Sequence, residues 1–113
     1  MPRELYEGRM RTAFEILAEP RRREILDLLR DGERLAGDLV DELDLSQPAV
    51  SKHLKVLREA GLVEVRKDAQ RRWYRLRIEP LAEIDAWLAP YRRLWNDRLD
   101  ALEHHLDTMP GDG

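Results

Sequence analysis

The chain has 113 residues, no cysteine and a formal net charge of −3, with 38% charged and 42% hydrophobic residues. That length supports one ordinary core, and the composition excludes a disordered chain, a disulfide scaffold and a thiolate metal centre. No apolar run approaches the length of a membrane span, and the charged start MPRELYEGRMRT lacks the apolar stretch of a signal peptide, so a cytoplasmic protein with no membrane partner is expected.

Apolar spacing predicts a first helix over about 4–18, with Tyr6, Met10, Phe14 and Leu17 on one side. Pro20 suits the first turn of a second helix, in which Ile25, Leu28 and Leu29 recur at helical spacing. Asp31-Gly32 ends it, glycine being the natural left-handed terminator. A third helix is predicted over 33–43, with Leu35, Leu39, Val40 and Leu43 inward. Asp44-Leu45 leaves a very short connection. Ser46 then offers a hydroxyl acceptor as the N-cap of a fourth helix, Pro48 is tolerated in its first turn, and Ala60-Gly61 closes it.

Beyond Gly61 the apolar period changes to 2. Residues 62–66 and 73–78 read as two short strands joined by the charged connection KDAQRR. Trp73 and Tyr74 are neighbours in a strand and so face opposite ways, one toward the core and one as packing cover. From Pro80 the chain reads as helical again, with Pro90 expected to kink or divide it. Three helices, a tight turn, a fourth helix and a hairpin form a winged helix-turn-helix: a mainly α fold with a small β-hairpin wing, expected as one domain over 1–113. The helix-turn-helix occupies 33–60 and the wing 62–78.

The net charge and a pI near 5.6 argue against a nucleic-acid partner when taken alone. Their distribution reverses that reading. From Lys52 to Arg77 nine basic residues stand against three acids, a net +6 that leaves −9 for the rest of the chain. A basic segment in an acidic body is what a protein needs to show one face to a polyanion; the plainer alternative is a solvated run of charge.

The fourth helix decides between them. At 100° per residue Val50, Leu54 and Leu57 share one arc, while Gln47, Ser51, Lys55 and Arg58 gather opposite, with Pro48 and Lys52 beside them. An amide pairs with adenine, a hydroxyl serves either role, and cations reach guanine edges or phosphates. The expected double-stranded DNA contacts are therefore Ser46, Gln47, Pro48, Ser51, Lys52, Lys55 and Arg58 from the helix, and Arg66, Lys67, Arg71 and Arg72 from the hairpin tip. An ordinary amphipathic surface helix would explain the periodicity, but not the turn, cap, cations and wing together.

The stretches AFEILAEPRRREILDLL and DLSQPAVSKHLKVLREAGLVEVRKDAQRRWYRL resemble the ArsR/SmtB family of bacterial dimeric repressors, over roughly residues 12–78. The resemblance implies a homodimer that represses a promoter from an imperfect inverted repeat and is released by a signal. It supports Gln47, Ser51 and Lys52 as recognition-helix contacts and Arg71 and Arg72 as wing contacts. Metal-sensing members carry two cysteines in an ELCVCDL pattern before the turn; here the segment is ERLAGDL, with Leu35 and Gly37 at those places. Others hold zinc with a C-terminal Asp-x-His and a later His. Here Asp100, Glu103, His104, His105 and Asp107 provide only Asp100 and His104 four apart, half of such a site. The chain thus resembles the cysteine-free branch, with no metal or cofactor expected and the effector unnamed. A metal-responsive repressor using the C-terminal Asp/His pair is one alternative. A protein-interaction winged helix without DNA binding is the other, and the cations on helix and wing oppose it. His53, beside the buried arc, reads as a packed histidine.

After Pro80, Ile84, Leu88, Tyr91, Trp95, Leu99, Leu102 and Leu106 follow at steps of three and four. One small core cannot cover so long a stripe, so 1–19 and 80–107 are expected as dimerisation helices, with Tyr6, Met10, Leu88, Tyr91, Trp95, Leu99, Leu102 and Leu106 at the interface. A helix folded back on its own core is the competing arrangement. No glycine-rich phosphate loop, HExxH or GxSxG is present, and the three histidines have no nucleophile partner. An enzyme is not expected.

Overall fold

The computed structural model describes residues 3–110, without the side chains of residues 3–7 and 9. In chain order the elements are α1 (Arg3–Leu17), α2 (Pro20–Arg30), β1 (Arg34–Leu35), α3 (Ala36–Leu43), α4 (Gln47–Glu59), β2 (Val63–Asp68), β3 (Arg71–Leu76) and α5 (Glu79–Thr108). They fall into two compact units, Met1–Glu83 and Ile84–Gly113.

The first unit holds the core. Ile16 of α1, Ile25, Leu26 and Leu29 of α2, Leu39 of α3 and Val50, Leu54 and Leu57 of α4 pack with Leu62, just before β2, and with Val63 and Tyr74 of the sheet. Ile25, Leu39, Val50 and Leu57 are 0% exposed, and enclosing side chains of this size contributes about 1.5–3 kcal/mol each. Leu26 joins the core beside Ile25, whereas Leu28 is only half-buried. On α1 the inward face is Met10, Ala13, Ile16 and Leu17, three and four apart, which turns Phe14 outward. The expected stripe through Phe14 is corrected accordingly. Tyr6 lies outside the described side chains.

The three strands form one antiparallel sheet in the order β1-β3-β2. The third helix was expected from residue 33, but Arg34 and Leu35 pair with Tyr74 and Trp73, and the helix starts at Ala36. A two-residue strand is set by pairing with a distant partner, which apolar periodicity does not register. Asp38 completes the start of α3 by accepting the Leu35 N–H at 3.1 Å. The expected KDAQRR connection is also shorter. Strand pairing reaches Asp68 opposite Arg71, leaving Ala69 and Gln70 as the turn, with Ala69 at a φ of 56°. Left-handed backbone at the first turn position suits the twist of a two-residue hairpin.

Pro90 does not divide the C-terminal helix: α5 runs unbroken for 30 residues. Proline removes one helical donor there. Across it, the Arg92 guanidinium is bonded to the Asp85 carboxylate and donates to the Asp85 carbonyl oxygen at 3.4 Å. No helix among the described residues is long and apolar enough to cross a membrane.

Candidate nucleic-acid interface

The geometry begins at the turn between α3 and α4. Asp44, at a φ of 54°, ends α3 in the left-handed conformation, one that Asp tolerates better than most residues. Ser46 follows as the N-cap of α4, its Oγ accepting the Ala49 N–H at 3.2 Å. A single left-handed residue and a cap thus fix the angle between the two helices. Helix α4 then buries Val50, Leu54 and Leu57 and leaves Gln47, Pro48, Ser51, Lys52, Lys55 and Arg58 exposed. All seven residues expected to meet DNA from this segment, Ser46 included, lie on its open side. The Ser46 oxygen is engaged in the cap, although its O–H remains able to donate.

On the hairpin, register separates residues that sequence reasoning grouped. Directly paired residues share a face, so Lys67 and Arg72 stand with Val65 and Tyr74 on the side that faces the core lower down. Arg71, adjacent to Arg72, stands on the other face opposite Asp68. Both faces are exposed at the tip.

Arg66 departs from expectation. Its Nε donates to Glu33 Oε1 at 3.2 Å and its Nη2 to Glu33 Oε2 at 2.8 Å, a two-pronged pair. Its guanidinium also lies 5.9 Å from the centre of the Trp73 ring. The Arg66 hydrogen bond holds the Glu33 carboxyl below the usual glutamate range and raises Arg66 itself. Arg66 is therefore a strut that ties the wing to the segment before α3. Arg75 and Arg77 are likewise engaged, bonded to Glu64 and, for Arg77, to Glu79 at 3.5 Å. Trp73 is half-buried between Leu35 and Arg66 in the register, and Tyr74 is the core partner.

The nine basic residues of the segment thus divide by pairing. Arg66, Arg75 and Arg77 make ion pairs within the sheet and its flanks. Lys52, Lys55, Arg58, Lys67, Arg71 and Arg72 have no ion-pair partner among the described residues. Sequence alone could not make this division, because Glu33 reaches Arg66 from 33 positions away.

Along α5 the apolar stripe beyond Ile84 is exposed, from Leu88 at 37% to Trp95 at 65%, with Tyr91, Leu99, Leu102 and Leu106 between them. Met10, expected at an interface between copies, is already buried within the single chain at 7% exposure and has little surface left to offer. Asp100 and His104 lie on α5; among the described residues no three His, Cys, Asp or Glu side chains group as a metal site requires.

A capped helix set by a tight turn against its predecessor, followed by a small antiparallel wing, defines a winged helix-turn-helix protein. The profile of the bacterial regulatory proteins of the arsR family matches residues 19–65. The chain is 33% identical over 79 residues to the transcriptional repressor SdpR of Bacillus subtilis, covering 70% of this chain and 88% of SdpR. It superposes on an ArsR-like transcriptional regulator from Rhodococcus sp. RHA1 with a TM-score of 0.70 at 29% identity, over 91% of this chain and 97% of that one. It also superposes on the homodimeric winged helix-turn-helix DNA-binding domain of Mb0332 from Mycobacterium bovis, with a TM-score of 0.63 at 30% identity, over 76% and 80% of the two chains. The chain belongs to the arsR family of bacterial regulatory proteins, a family of transcriptional regulators rather than enzymes.

Proposed function

We propose that this protein is a homodimeric transcriptional repressor that binds an inverted-repeat operator in the cytoplasm. The observation that carries the reading is the set of cations on α4 and the wing without an ion-pair partner among the described residues, in a segment whose other arginines are paired. Gln47 and Ser51, small and polar at the start of α4, read base edges in the major groove. Lys52, Lys55 and Arg58 hold the flanking phosphates, and Lys67, Arg71 and Arg72 follow the backbone or the adjacent minor groove from the wing. Pro48 and Ser46 set the close approach of the helix start. The helices over 1–19 and 80–107 join two copies, and the exposed stripe Leu88, Tyr91, Trp95, Leu99, Leu102 and Leu106 supports this because it leaves a long apolar face for a twin. Two recognition helices would then sit roughly 34 Å apart, one turn of DNA.

The wing provides a direct test. Replacing Lys67 and Arg72 with Ala, on one face of the hairpin, is expected to weaken binding to all sequences alike. The slope of log K against log salt should become shallower by about 2 for each subunit that loses both contacts. Fluorescence anisotropy at four salt concentrations measures it. An unchanged slope would remove the wing from the DNA contacts.

A further inference from the structure

The EPRRRE run at the start of α2 has no part in the face described so far. Arg22 lies three, four and seven residues before Ile25, Leu26 and Leu29, so it continues the buried stripe of α2 by one turn. His53 lies three residues after Val50 and four before Leu57, on the border of the buried stripe of α4. Both side chains are half-buried. Arg22 Nε and His53 Nδ1 are enclosed without any hydrogen-bond partner among the described residues. A guanidinium cannot shed its charge, so Arg22 keeps a cation at this corner.

The groups that act on His53 are Arg22, Glu19 and Arg21 from the start of α2 and Lys52 from α4. Glu19 is the one acid among them, and its carboxylate accepts the Arg21 N–H at 3.4 Å as the cap of α2. Arg21 also bonds Glu24 at 2.9 Å from an exposed position. Cations therefore outnumber acids at this corner, and it adjoins the face carrying Ser51 and Lys52.

We propose that Arg22 and His53, flanked by Arg21 and Lys52, form a second phosphate-holding corner that grips the DNA backbone beside the recognition face. The inference rests on the reading of α4 as the helix that meets DNA. A phosphodiester cannot reach the enclosed Nε and Nδ1, but it supplies acceptor oxygens to the rest of the half-buried Arg22 guanidinium, which has no hydrogen-bond partner among the described residues. Its charge also bears on His53. Burial first, then Arg22, holds the imidazole below its ordinary value in the free protein; an adjacent phosphate acts in the opposite direction. Binding then takes up a proton. With the bound value above the free one, the gain in affinity is complete below the free value and is lost as pH rises through the bound value.

The test uses a fluorescein-labelled 30-base-pair duplex of arbitrary sequence, because backbone contacts do not depend on sequence. Arg22→Gln is expected to reduce the salt slope by about 1 per subunit, and Arg21→Gln with Arg22→Gln by up to about 2. His53→Gln should flatten the rise in affinity that accompanies a fall in pH. Circular dichroism checks folding; if Arg22→Gln does not fold, Arg21→Gln and His53→Gln carry the test. Unchanged salt slopes together with an unchanged pH dependence would overturn the corner. So would protection of the corner by millimolar inorganic phosphate alone, with no effect of the variants on DNA. Lys55→Glu separates the two readings: if it loses binding while the corner variants do not, only the corner fails, and if it binds normally the proposed DNA face itself fails.

Discussion

A chain carrying Lys52→Glu and Lys55→Glu is expected to lose DNA binding by at least about 100-fold while keeping its fold and oligomeric state. Both lysines are exposed on α4 and neither has an ion-pair partner among the described residues, so the change breaks no ion pair there. Each reversal removes a cation from the phosphate and places an anion against it. The proposed dimer would carry the change twice, which compounds the effect. Anisotropy with labelled duplex measures the binding, circular dichroism the fold and light scattering the assembly. Undiminished affinity would mean that α4 presents some other side to its partner.

The second large effect is expected from Trp95→Glu with Leu99→Glu. Both side chains are exposed on α5, at 65% and 45%, and charge at the centre of an apolar interface leaves an unpaired ion there. The variant should run as a monomer by light scattering at micromolar concentration. Its affinity for a two-half-site duplex should fall by roughly 100-fold, because the second recognition helix is no longer delivered at high effective concentration. A dimer that survives both substitutions would place the interface elsewhere.

Much of this arrangement is legible in the residues. The SQPAVSKHLKVLREAGL stretch carries its own cap, its apolar arc and its terminator, all set by neighbours within a turn or two. Tyr74 and Trp73 divide between core and cover because strands alternate. Features decided by distant partners were not legible. Arg34 and Leu35 read as helix until β3 pairs with them. Arg66 reads as a wing cation until Glu33 and Trp73 engage it. Arg71 and Arg72 read as a pair until the register places them on opposite faces. Pro90 reads as a break, yet α5 continues through it. Local rules fixed the identity of the elements, and long-range pairing reassigned individual charges among them.

Nitrogen-15 chemical-shift mapping of the protein titrated with duplex DNA tests the account most directly. The amides of 46–58 in α4 and of 67–72 at the wing tip should move as DNA is added. The sheet-bound Arg75 and Arg77 and the length of α5 beyond Trp95 should stay in place. Shifts concentrated on α5, or a titration that leaves Gln47, Ser51, Lys52 and Lys55 unmoved, would contradict it.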